Sequence, residues 1–237
     1  MYNLTDADKK FIATYDVEKF DRPSVAIDTV ILTLNENFEL LVLRNNRNEL
    51  PFKDTLQLPG GFVDVHKDLD EQVKDLVYSK TGVKYKDLKF EQLYTYGKAD
   101  RDPRTRVISV TYFAILRQGS WLTELEKNEN NFWVTVYPKY NERLPFAFDH
   151  KDILEDALKR IANKVDYTDI ALDFLANKNH FTLFELKKVY EELLGHSIGL
   201  ANFRRDILKR YGDRFEVIDG IESTEYSKRP SKVYRLK

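Results

Sequence analysis

Two groups of residues in this sequence carry side chains suited to chemistry. The first is a polar loop, Gly97 to Thr105, reading GKADRDPRT, with Arg106 directly after it. Arg101, Arg104 and Arg106 supply planar guanidinium groups, which suit phosphate or carboxylate recognition. Asp100 and Asp102 can accept hydrogen bonds from the hydroxyls of a ribose or another sugar. The plainer reading is a solvated loop in which Asp102-Pro103 sets a turn. The second group is basic. From Leu200 onward ten Lys and Arg stand against six Asp and Glu, a surplus of four on a chain whose formal net charge is -1. Phosphate contacts dominate affinity for DNA, so such a local surplus matters more than the total. Asn202, Arg204, Arg205 and Lys209 fall on the polar side of a helix whose inward residues are Phe203, Ile207 and Leu208. That helix is expected to enter a major groove. Ser227, Lys228, Arg229 and Lys232 lie in a following hairpin and are expected to touch the phosphate backbone or the minor groove.

The elements that position these groups change character along the chain. Val25 to Leu34 and Phe38 to Arg44 are rich in Val, Ile and Leu and read as strands, with a turn at Asn35-Glu36-Asn37. Phe90 to Tyr96 and Arg106 to Leu116 are strands flanking the polar loop, and Phe132 to Val136 is a shorter one. Leu69, Val73, Leu76 and Val77 give the intervening helix an apolar face. Asp68 and Glu71 have the form of a capping box at its start, and Gly82 suits its end. Ile153 to Ile161 has helical spacing. From about Asn163 helices replace strands: Tyr167 to Ala176, then Leu183 to Leu194 with Thr182 and Glu185 as a capping box, then a helix to Tyr211. Two short strands follow. Three helices and a basic hairpin are the outline of a winged helix-turn-helix.

Residues Gly61 to Val83 read GFVDVHKDLDEQVKDLVYSKTGV. This resembles the Nudix box, G-x5-E-x7-R-E-U-x-E-E-x-G-U. The frame fits, but Lys67 stands for the first Glu, Asp75 for the Arg, Leu76 for the next Glu, and Ser79-Lys80 for the final pair. Nudix hydrolases use those carboxylates to hold divalent cations against a diphosphate, and hard cations want several oxygen ligands. The degenerate box occurs with Asp100-Arg101-Asp102-Pro103, Leu144 to His150, Asn202-Phe203-Arg204-Arg205 and Arg229 to Tyr234 in order. Together they resemble the Nudix-related transcriptional regulators of the NrtR type and their arabinose-responsive relatives. The resemblance implies an α/β fold: a Nudix-like α/β/α sandwich followed by a winged helix. It implies a homodimer that binds double-stranded operator DNA and senses a small-molecule effector, either ADP-ribose linked to NAD metabolism or a sugar linked to its catabolism. It also places Arg44 near ligand phosphates. The expected division is an N-terminal extension over 1–19, an effector-sensing part over 20–160 and a DNA-binding part over 161–237.

No catalytic residue, metal or cofactor is expected. The competing reading is a hydrolase of nucleoside diphosphate derivatives with unusual metal ligands drawn from Asp64, Asp68, Asp70 and Glu71. The absence of cysteine excludes disulfides and thiolate metal sites. The N-terminus is too polar for a signal peptide, and Val25 to Leu34 is too short to span a membrane and contains Asp28. The expectation is a cytoplasmic protein.

Overall fold

The computed structural model describes residues 3–82, 84, 88–117, 131–136, 145–226 and 229–237. Helix α1 (Asp6–Ala13) begins at a Thr5–Asp8 capping box but buries no residue. Phe11 and Tyr15 of this segment are 64% and 48% exposed.

The first sheet is built on β1 (Ser24–Leu34), β2 (Leu40–Asn46), β3 (Leu56–Gln57), β4 (Gly60–Phe62), β5 (Leu88–Tyr96), β6 (Val107–Leu116) and β7 (Asn131–Thr135). Among the described residues the order is β3-β2-β1-β6-β5, with β4 on β1 and β7 on β2. The β1–β6 pair is parallel, with Asp28 opposite Thr111. Strand alternation sorts the side chains to two faces. Val30, Leu32 and Leu34 of β1 and Phe113 and Ile115 of β6 pack on the side of α3 (His150–Lys164). Ile27 and Ile31, with Val110, Tyr112 and Ala114, pack on the side of α2 (Leu69–Thr81). Helices on both faces make the α/β/α layering. Gly82 ends α2 in the left-handed region, with φ 70°, where glycine carries no Cβ penalty. The expected capping box at the start of α2 is not formed, because the Asp68 side chain makes no cap hydrogen bond.

The second unit holds α4 (Ile170–Asp173), β8 (Phe181–Thr182), α5 (Leu183–Leu194), α6 (Leu200–Tyr211), β9 (Phe215–Ser223) and β10 (Ser231–Leu236). Among the described residues β8, β10 and β9 form a small antiparallel sheet in that order. At the start of α5 the Thr182 hydroxyl accepts from the Glu185 N–H while Glu185 accepts from the Thr182 N–H. This is the expected box, and each bond satisfies a donor that would otherwise be orphaned. Three helices followed by a β-hairpin form the winged helix.

The two units share one hydrophobic cluster. It runs from Leu34 and Leu40 through Ile153, Ile161 and Val165 to Leu186, Val189 and Phe203. The Leu40 N–H donates to Glu192 Oε1 of α5 at 2.8 Å. Phe38, in the turn between β1 and β2 with φ 63°, lies edge-on to Tyr226 at 5.5 Å, and Tyr226 stacks on Phe184 at 5.4 Å. Among the described residues no helix is long and apolar enough to cross a membrane.

Candidate effector cleft and nucleic-acid interface

A cleft of about 210 Å³ opens where β1 and β4 meet the start of α3. Arg47, Phe62, Arg101, Asp102, Arg104 and Phe148 line it. At its base lies Asp28, which shares the α3-facing side of β1 with Val30. A carboxylate buried in an apolar strand is costly unless paired and hydrogen-bonded, and here it is both. Arg101 Nη2 reaches Asp28 Oδ2 at 3.1 Å and Asp149 Oδ1 at 2.7 Å, while Arg101 Nε donates to Asp149 Oδ2 at 2.8 Å. The Ser109 hydroxyl donates to Asp28 Oδ2 at 2.7 Å. His150 Nδ1 accepts the Leu58 N–H at 3.0 Å, leaving Nε2, 3.4 Å from Asp28 Oδ1, as the ring's donor. Burial pushes the Asp28 carboxyl up, but His150, Ser109 and Arg101 together outweigh it and hold the group at about 2.

The neighbouring glycine is required by this packing. A Cβ on Gly60 would lie 2.3 Å from Asp28 Oδ1 and 2.8 Å from the Ile27 carbonyl oxygen. Toward the mouth, Arg104 grips Asp102 through Nε at 3.0 Å and Nη2 at 2.7 Å. That grip is the main cause of a lowered Asp102 carboxyl and a raised Arg104 guanidinium. The Arg104 guanidinium also lies 6.0 Å from the Phe62 ring centre and 5.6 Å from that of Phe148.

Of the six side chains expected at a ligand, Arg101, Asp102 and Arg104 lie in the cleft lining. Asp100 instead points to solvent beside Lys98, and Arg106 donates to the Lys98 carbonyl from an exposed position. Arg44 falls on the same face of β2 as Leu40 and Val42 and is fully buried, its guanidinium 4.2 Å from the Phe146 ring centre. The arginine that this part of the chain gives to the cleft lining is Arg47, beyond the end of β2. It is buried and donates to the Pro51 and Leu50 carbonyls and to Gln57 Oε1. Asp28, His150 and Arg47 of the cleft lining, and Ser109 bonded to Asp28, were not among the residues expected there. The available signal was a lone Asp inside an otherwise apolar strand.

The altered box positions are taken up in three ways. Lys67 Nζ and Asp75 Oδ2 pair at 2.5 Å, with charges exchanged relative to the Glu and Arg of the Nudix pattern. Leu76 is buried with Val73 and Val77, and its Cδ1 stands 3.1 Å from where a Gly61 Cβ would be. Lys80 lines a second, polar recess of about 320 Å³ with Asn45, Asn46, Arg47, Glu49 and Gln57. Among the described residues no three His, Asp or Glu side chains converge to hold a metal ion.

In the winged helix, α6 turns Phe203, Ile207 and Tyr211 inward, and leaves Asn202, Arg204, Arg205 and Lys209 exposed. Arg205 pairs with Asp206, with Nε at 2.8 Å from Oδ1. Arg210, next to Lys209 in sequence, turns back toward the protein. It donates to the Val165 carbonyl at 2.8 Å and to the Thr168 carbonyl, with its guanidinium 4.7 Å from the Tyr211 ring centre. Arg214 and Arg235 are engaged by Asp169 and Glu216. Arg229 and Lys232 are exposed on the hairpin, while Ser227 and Lys228 lie outside the described residues.

Residues 174–236 match the NrtR DNA-binding winged helix domain. The whole chain is similar to the ADPR responsive transcriptional repressor NtrR of Acinetobacter baylyi, 32% identical over 236 residues, covering 97% of this chain and 88% of that protein. Shewanella oneidensis NrtR complexed with a 27mer DNA superposes with a TM-score of 0.75 at 31% identity, over 90% of this chain and 93% of that one. The NUDIX domain of the same protein complexed with ADP ribose gives 0.55 at 28% identity, over 67% of this chain and 99% of that one. An ADP-ribose pyrophosphatase of Methanocaldococcus jannaschii is 33% identical over 156 residues, 64% of this chain and 84% of that enzyme.

Proposed function

This chain belongs to the NrtR family of Nudix-related transcriptional regulators, and on that basis we propose that it is a DNA-binding repressor whose Nudix-type unit senses ADP-ribose. The supporting observation is the span of the likeness: similarity to an ADPR responsive repressor runs through both units, over 97% of this chain. The effector unit is assigned to residues 20–160 and the DNA-binding unit to 161–237. Phe62 and Phe148 offer flat faces for a base, and Arg101, Asp102 and Arg104 offer donors and acceptors for ribose and phosphate oxygens. Asn202, Arg204, Arg205 and Lys209 on α6 face the operator, with Ser227, Lys228, Arg229 and Lys232 of the wing on the flanking backbone. On this reading the chain is a homodimer on an operator of matching two-fold symmetry. ADP-ribose acts by favouring the arrangement with lower affinity for DNA, since a ligand shifts an equilibrium only by its differential affinity. The test is fluorescence anisotropy on DNA from upstream of the protein's own gene, in a salt series, with and without ADP-ribose. Sequence-selective binding released by ADP-ribose supports the reading; equal, weak binding to random DNA rejects it.

The unit is proposed to be catalytically silent, because Lys67, Leu76, Ser79 and Lys80 replace the box glutamates. The likeness to an ADP-ribose pyrophosphatase keeps a second reading in play. Turnover of ADP-ribose that stops on adding a chelator would establish it.

A further inference from the structure

The recess beside the cleft has a charge arrangement opposite to that of a cation site. We infer that Arg47 and Lys80 bind the diphosphate of the effector directly, with Lys80 supplying the positive charge that a divalent cation supplies in a Nudix hydrolase. This rests on the ADP-ribose reading above.

Two independent observations carry it. Lys80 sits at the box position of the last glutamate and lines the recess with Arg47 and Gln57. A carboxylate there would attract a metal ion; an ammonium repels one and attracts a phosphate oxygen. Arg47 is buried at 8% exposure, and each of its hydrogen bonds goes to a neutral acceptor, the Pro51 and Leu50 carbonyls and Gln57 Oε1. Among the described residues no carboxylate lies within ion-pair distance of it. A buried guanidinium held in place without a counter-charge is suited to an anionic ligand. Arg47 lines both the recess and the cleft, so one ligand can place its phosphates at Arg47 and Lys80 and its base and riboses beside Phe148 and Arg104. Glu49, exposed at the rim, is the one carboxylate in the recess lining.

The experiment is calorimetric titration of the full chain with ADP-ribose and, separately, inorganic pyrophosphate, each in EDTA and in magnesium. The variants are Lys80→Ala and Lys80→Glu; Lys80 is exposed, so both are expected to fold, which thermal denaturation checks. The wild-type Kd for ADP-ribose is expected to agree within about twofold with and without magnesium. Lys80→Ala is expected to weaken it about tenfold, about 1.4 kcal/mol, and Lys80→Glu further in EDTA. Binding of ADP-ribose that requires magnesium, or affinities unchanged in Lys80→Ala, would overturn the inference while leaving the ADP-ribose reading intact. Lys80-dependent pyrophosphate binding without ADP-ribose binding would do the reverse. Binding of neither ligand would reject both.

Discussion

Replacing Arg101 by Leu removes the one cation that bridges Asp28 and Asp149. The guanidinium side chain is 4% exposed, the Asp28 carboxylate 8% and the Asp149 carboxylate 16%, so water cannot take over its role. Three charge-assisted hydrogen bonds, at 2.8, 2.7 and 3.1 Å, are lost together. Breaking a buried pair from one side costs about 3–5 kcal/mol, because a charge is left uncompensated. For a chain of this size that is roughly 6–20 °C in Tm. The pH dependence tests the cause. In the wild type the Asp28 carboxyl is held at about 2, below its unfolded value. Its stabilisation, about 2 kcal/mol, is present above pH ~4 and is lost as pH falls toward ~2. Without Arg101 burial carries more weight and the folded carboxyl moves up, so protonation relieves the variant. The deficit should be largest near neutral pH and shrink on acidification. Urea unfolding of both proteins at neutral pH and at pH ~4 measures this. A deficit under about 1 kcal/mol, or one that stays constant as pH falls, would refute the assignment of Arg101 as a charge that, beside His150 and Ser109, holds Asp28.

Four other substitutions probe separate links. Gly60→Ala sets a Cβ 2.3 Å from Asp28 Oδ1, so β4 must shift; both Tm and ADP-ribose affinity are expected to fall, and an unchanged Tm would show that the strand yields freely. Arg204→Ala is expected to leave Tm unchanged and to reduce the slope of log affinity for operator against log salt by about one. Arg210→Ala, which removes a side chain bonded to the Val165 carbonyl, should lower Tm; equal effects of the two on both readouts would contradict their opposed placement. Glu192 is half-buried, and burial raises its carboxyl above the usual range despite the Leu40 N–H. A raised carboxyl contributes stability at low pH that is lost as pH rises through its folded value. Glu192→Gln keeps an acceptor without the charge and should raise Tm slightly at neutral pH and less near pH 4, as thermal melts would record.

The parts of this molecule legible in sequence are those whose signals are local. The Val, Ile and Leu run of β1 and the Thr182–Glu185 box each announce themselves within a few residues. The site was half legible. Arg101, Asp102 and Arg104 could be read because Arg and Asp cluster in one loop. Arg44 was misleading because a strand residue's face is decided by register, and register puts it with Leu40 and Val42 against Phe146. Asp28, Ser109 and His150 meet only after β1, β6 and α3 come together, 81 residues apart in the case of Ser109 and Asp28. The basic surplus near the C-terminus was overcounted for a similar reason. Arg210 lies in α6 and Arg214 just after it, but they serve Val165, Thr168 and Asp169.

The hydrophobic cluster shared by the sheet, α3 and α5 means that the winged helix is not a bead on a tether. Swivelling it freely would expose Leu193 and Val136 to water, at about 25 cal/mol for each Å² uncovered. Motion between the units is therefore restricted to shear within a packed boundary. The same continuity makes their stabilities a common property: either unit, once melted, strips the other of an apolar wall. Denaturation should register as one cooperative event, and the isolated winged helix should melt below the intact chain.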